Sequence, residues 1–215
     1  MSDLRPARGT DVRAETEVRR SRFVALLRRA DDEDEARALV ADARAAFPDA
    51  RHHCSAFRVD VPGSNRVERS SDDGEPAGTA GMPMLEVLRG SGLTNVAAVV
   101  VRYFGGTRLG TGGLVRAYSE AVQGALAVTP RVRVEIVGLW TVDVGHADAG
   151  RVEAELHARG MTVTDVAYGA RTVRLTLAAA DGDRLVGVVA SLTAGRAIPA
   201  PTGTAVVEHR LTPAS

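Results

Sequence analysis

Asn95–Gly113 reads N-V-A-A-V-V-V-R-Y-F-G-G-T-R-L-G-T-G-G. Its first half is an unbroken apolar run rich in β-branched residues, the pattern of a strand buried on both faces. Helical periodicity sets in from Leu114, through L-V-R-A-Y-S-E-A-V-Q-G-A-L. The stretch therefore predicts a strand that passes through a tight turn into a helix. Such a junction leaves backbone N–H groups free at the helix start, and glycine lets a ligand come close. Gly105, Gly106, Gly110, Gly112 and Gly113 are thus a candidate anion cradle. Arg102, Arg108 and Arg116 flank it and offer guanidinium forks for phosphate. The spacing fits neither the P-loop nor the dinucleotide fingerprint. A second reading, in which the glycines only permit a tight crossover, stands equally open.

Working upstream, S-R-F-V-A-L-L-R-R alternates as a strand does, and D-D-E-D-E supplies acidic first-turn residues for a helix carrying Ala36, Leu39, Val40 and Ala43. H-C-S-A-F-R-V-D-V predicts a second strand. Val61–Gly81 is polar and rich in turn formers, so it reads as a long mobile loop feeding a helix that Gly90 and Gly92 end. Downstream of Pro130 the rhythm becomes β-α-β-β-α-β, the ferredoxin-like plait. The expected organisation is a flexible N-terminus over residues 1–14, an N-terminal domain over 15–130 and a ferredoxin-like domain over 131–215.

Composition limits the chemistry. All 27 basic side chains are Arg, which excludes Schiff-base and P-loop Lys chemistry. The formal charge is zero, arguing against a uniformly basic coat while leaving room for a local Arg patch. The single cysteine, Cys54, forms no internal disulfide. No apolar run approaches a membrane span, and the chain is expected to be cytoplasmic.

Ser71–Leu88, S-D-D-G-E-P-A-G-T-A-G-M-P-M-L-E-V-L, concentrates carboxylates and glycines before an apolar run. Asp72, Asp73 and Glu75 are close enough in sequence to perturb one another, yet no nearby residue completes a nucleophile–base pair. His52, His53 and Cys54 are consecutive, so on a strand they point to alternate faces and do not chelate one ion.

Taken together, S-D-D-G-E-P-A-G-T-A-G-M-P-M-L and V-A-A-V-V-V-R-Y-F-G-G-T-R-L-G-T-G-G-L-V-R-A-Y closely resemble the signature of the IMPACT/YigZ family. S-R-F-V-A and R-H-H-C-S-A-F-R look like its earlier landmarks. The resemblance implies an α+β chain of two domains. The N-terminal one would take the left-handed βαβ fold shared with a small-subunit ribosomal protein, domain IV of elongation factor G and GHMP kinases. The C-terminal one would resemble the ferredoxin-like domain V of elongation factor G. Eukaryotic members regulate translation by binding the activator of an initiation-factor kinase, a pathway that bacteria lack. For a bacterial member the resemblance implies nucleic-acid or ribosome-associated binding, and it defines no catalytic residues.

The expectation is a non-enzymatic binding protein for RNA, the ribosome or a translation-associated partner. Its ligand-binding residues would be Asp72, Asp73, Glu75, Arg102, Tyr103, Arg108 and Arg116, with Tyr103 and Phe104 offering stacking surface. No catalytic residue, metal or cofactor is expected. Two alternatives remain: a Mg-dependent enzyme binding nucleotide or another phosphate ligand, and a regulator that docks on another protein.

Overall fold

The computed structural model describes residues 3–61 and 63–211. In chain order its elements are β1 (Asp3–Pro6), β2 (Asp11–Val18), β3 (Ser21–Arg29), α1 (Glu33–Ala46), β4 (His52–Val59), β5 (Val67–Ser71), α2 (Gly81–Gly90), β6 (Val96–Tyr103) and α3 (Gly110–Ala127). They are followed by β7 (Arg131–Gly145), α4 (His146–Ala158), β8 (Thr162–Tyr168), β9 (Thr172–Ala179), α5 (Gly182–Thr193) and β10 (Ala200–Arg210). The chain divides into two units: one runs to Arg133 and takes the chain back from His209, and the other is Val134–Glu208.

In the first unit the apolar run at β6 is the middle strand of an antiparallel sheet ordered β2-β3-β6-β4-β5. Helices cover both faces, which is why β6 needs no polar side. Its Val96, Ala98 and Val100 join Phe23, Leu27, Met84, Leu88 and Tyr118 beneath α2 and α3. Its Ala97, Val99 and Val101 join Val24, Leu39 and Ala43 beneath α1. β3 and β4 each pair antiparallel with β6, so they run parallel to each other on either side of it, joined through α1. The acidic run caps that helix: Asp32 accepts from the Glu35 N–H at 2.8 Å, and Glu35 accepts from the Asp31 N–H at 2.7 Å.

The second unit is the ferredoxin-like βαββαβ plait, with β10 and β9 on either side of β7 and β8 outside β9. Val152 and Leu156 of α4 and Leu185 and Val189 of α5 bury against Val142, Val144, Val173, Leu175 and Leu177.

Two expectations are corrected here. The first fourteen residues are not a loose tail: Asp3–Pro6 and Asp11–Val18 are strands, while Met1 and Ser2 lie outside the described residues. D-V-R-A-E-T-E-V carries a period-two pattern, half-buried at Val12, Ala14, Thr16 and Val18, beneath a polar average. The span Val61–Gly81 is likewise not one loop. Val67–Ser71 forms an edge strand on β4; it presents little apolar surface, so hydrophobic patterning does not reveal it. Pro62 and Thr212–Ser215 lie outside the described residues.

The glycine run is not uniform. A Cβ on Gly105 would stand 2.0 Å from the Arg20 carbonyl carbon and 2.4 Å from the Ser21 nitrogen, whereas one on Gly112 meets nothing within 4 Å. Gly105→Ala is therefore expected to destabilise the fold by about 3 kcal/mol, the upper end for overpacking, since backbone must move. Gly112→Ala should leave stability unchanged or raise it by up to about 1 kcal/mol. Urea midpoints of the two variants check the contrast.

Candidate functional site

The Ser71–Gly81 block is built around one carboxylate. Asp72 accepts from the backbone N–H groups of Gly78 (2.8 Å), Ala80 (3.0 Å) and Gly81 (2.8 Å). The residue preceding α2, Ala80, makes no side-chain cap, so Asp72 supplies one from eight positions upstream of it. Burial alone would raise its pKa, but the three N–H donors outweigh that and hold the carboxyl below its ordinary value. Asp73 accepts from the His53 N–H at 2.7 Å and pairs with Arg44 at 2.8 Å. His52 Nδ1 donates to the Asp73 carbonyl at 2.9 Å, and the Cys54 thiol donates to the Asp72 carbonyl at 2.9 Å. Burial pushes that thiol up to about 12, so it is inert at neutral pH. Within the span expected to be mobile, the Ser71–Gly81 block is pinned by these contacts.

Glu75 connects the two sequence blocks. Its Oε1 accepts from Arg102 Nη1 at 2.6 Å and from the Tyr118 hydroxyl at 2.7 Å. The side chains of Glu75 and Arg102 are only 4% and 7% exposed. Tyr118, fully buried, meets Phe23 edge-on at 5.2 Å, and burial raises its pKa. The two blocks therefore converge, but they spend Glu75 and Arg102 on each other in the interior. Among the described residues no group of three or more His, Cys, Asp or Glu is placed to hold a metal ion.

The other predicted residues divide. Tyr103 is half-buried; its hydroxyl donates to Asp49 at 2.8 Å and the Arg22 guanidinium lies 4.6 Å from its ring centroid. Arg108 and Arg116 are exposed, and so is Phe104. α3 begins at Gly110 without a side-chain cap, so no side chain competes for the N–H groups of its first turn.

Sequence reading missed three neighbours of this turn. Arg19 and Arg20 form the two-residue turn of the β2–β3 hairpin, with φ of 48° and 66°. Those are left-handed conformations normally given to Asn or Gly. Gly105 packs on that turn, its N–H donating to Ser21 Oγ at 3.1 Å, and Arg20 Nη2 donates to Thr107 Oγ1 at 3.2 Å. Arg22 lies opposite Tyr103 in the sheet register. The V-R-R-S sequence marks this turn only once the strand before it is recognised.

The fold defines a two-domain α+β chain, and comparison with known proteins gives its class. Residues 19–126 match the Impact N-terminal domain, and residues 142–196 match a domain of unknown function, DUF1949. YigZ of Escherichia coli, an IMPACT family member, is 45% identical over 140 residues, covering 65% of this chain and 69% of its own length. An IMPACT family member of Thermus thermophilus is 36% identical over 182 residues, covering 83% of this chain and 97% of its own. A crystal structure of a hypothetical protein superposes with a TM-score of 0.61 at 38% identity, covering 92% of this chain and 96% of that one. The chain belongs to the IMPACT family. No helix among the described residues is long and apolar enough to cross a membrane.

Two outcomes test the buried network. Glu75→Ala strands a buried guanidinium and should cost about 3–5 kcal/mol, whereas Glu75→Leu with Arg102→Met should cost far less than the sum of the single changes. Additive losses in urea unfolding would refute the coupling. Asp72, its pKa lowered by folding, contributes stability that is present above the unfolded carboxylate range and lost as pH falls through the folded value. The gap in unfolding midpoint between wild type and Asp72→Asn should accordingly be wide at pH 7 and shrink on acidification below about pH 4.

Proposed function

We propose that this chain is a non-enzymatic RNA-binding protein of the cytoplasm, working on the ribosome or another translation-associated RNA. The observation that carries the reading is the contact of the Arg19–Arg20 hairpin turn with the glycine-rich turn, through Arg20 on Thr107 and the backbone against Gly105. Beside it lie the exposed Arg108 and the uncapped start of α3, the helix that carries the exposed Arg116. Guanidinium groups and free backbone N–H groups are the donors that phosphate oxygens take up. Arg19, Arg108 and Arg116 are exposed on long side chains. Arg22 leans on the Tyr103 ring on the α1 face of the sheet, beside Glu15, and so stands outside this set. A binding role fits better than catalysis, because Asp72, Asp73 and Glu75 are all engaged in holding the chain together. Phosphate contacts position a protein on RNA without reading its sequence, so broad recognition is expected.

The reading predicts binding whose logarithm falls with the logarithm of salt concentration with a slope of about −3, from about four phosphate contacts on a single strand. Arg108→Glu with Arg116→Glu should weaken binding at least about tenfold at low salt and flatten the slope by about 1.4. Fluorescence anisotropy with a labelled RNA across a salt series checks both. A salt-independent signal, or an unaffected double variant, would remove the proposal.

A further inference from the structure

We infer that Phe104 is a stacking platform for an unpaired nucleobase, so that this surface takes single-stranded rather than duplex RNA. The inference rests on the phosphate-binding reading above and adds the class of RNA. In the N-terminal unit Phe23 and Tyr118 are fully buried, yet Phe104 stands 57% exposed. Its position is set from below and behind. The Arg102 guanidinium lies 5.5 Å from the Phe23 ring centroid and 5.7 Å from that of Phe104, between a core ring and an exposed one. Glu75 fixes that guanidinium through Nη1 at 2.6 Å, while its buried Nε has no hydrogen-bond partner. The cation is thus held in place by one carboxylate and two rings. Immediately after Phe104, Gly105 is wedged against the Arg20–Ser21 backbone, which fixes the main chain from which the ring projects.

An exposed ring resting on a fixed cation presents a π-surface that needs no rearrangement to accept a base. Tyr103 cannot serve in the same way, because Arg22 covers its ring and Asp49 holds its hydroxyl. Guanidinium groups that would take the flanking phosphates belong to the same turn, Arg20 being bonded to Thr107 three residues beyond the ring and Arg108 following it, exposed. Bases in a duplex are already stacked on one another and cannot reach Phe104 without unpairing, whereas those of a single strand are free to do so. On this view Arg102 is a positioning residue and Glu75 its anchor, so the two sequence blocks together serve one exposed side chain.

The test compares a fluorescein-labelled ten-nucleotide oligouridylate with a ten-base-pair RNA duplex by anisotropy, using the full-length chain and its Phe104→Ala and Phe104→Trp variants. The expected result is tighter binding of the single strand by wild type and a loss of about tenfold or more for Phe104→Ala. Duplex binding and the melting temperature should be unchanged. Phe104→Trp should retain affinity, and its added fluorescence should be quenched by the oligonucleotide. Three results overturn the stacking inference while leaving the phosphate reading intact: salt-dependent binding that Phe104→Ala does not weaken, a preference for the duplex, or an affinity loss accompanied by a fall in melting temperature. Failure of every nucleic acid to bind at low salt overturns both.

Discussion

The hydrogen-bonded ion pair between Glu75 and Arg102 is the constraint on which the N-terminal unit is organised. It joins residues 27 positions apart, one in the pinned turn before α2 and one near the end of the central strand β6, and Tyr118 brings α3 into the same contact. Against a well-packed apolar substitute, a buried pair of this kind adds little net stability. Its value is directional. A carboxylate that accepts from a guanidinium and a phenol in the interior admits one arrangement of the three elements. It also fixes the end of β6, where the chain leaves the sheet and turns outward.

From that constraint the division of labour among the notable residues follows. Asp72, Asp73 and Glu75 look like an acidic surface in the sequence, but each is consumed by partners: backbone N–H groups for Asp72, His53 and Arg44 for Asp73, Arg102 and Tyr118 for Glu75. Among the glycines, Gly105 and Gly81 are required by close backbone approach, Gly105 to Arg20 and Gly81 to Ser71. Gly112 has open space around it. What faces outward is the other end of the same network, where Phe104, Arg108, Arg116 and the Arg19–Arg20 turn are exposed.

Much of this architecture was legible in the residues themselves. The β-branched run at Val96–Val101 announced a strand buried on both faces, and the β-α-β-β-α-β rhythm after Pro130 announced the plait. Local patterning did not reveal what depends on distant partners. Val67–Ser71 becomes a strand because β4 offers it an edge, not because its own side chains demand one. Asp72 reads as a ligand-binding carboxylate until the N–H groups of Gly78, Ala80 and Gly81 are seen to close on it. Arg102 reads as a phosphate ligand because nothing in V-V-V-R-Y-F says that its counter-charge sits 27 residues upstream. The Arg19–Arg20 turn is not legible because the expected flexible N-terminus, residues 1–14, takes in the first half of β2, and a hairpin turn has meaning only between two strands.

The account assigns the outward end of this network to ligand and the inward end to structure. Titration of a single-stranded RNA into the ¹⁵N-labelled protein, followed by amide chemical shifts, separates the two most directly. The predicted outcome is that shifts concentrate at residues 19–22 and 104–116, while the amides of Gly78, Ala80 and Gly81, held by Asp72, stay in place. Shifts centred on the 72–81 turn, or confined to the plait, would contradict it.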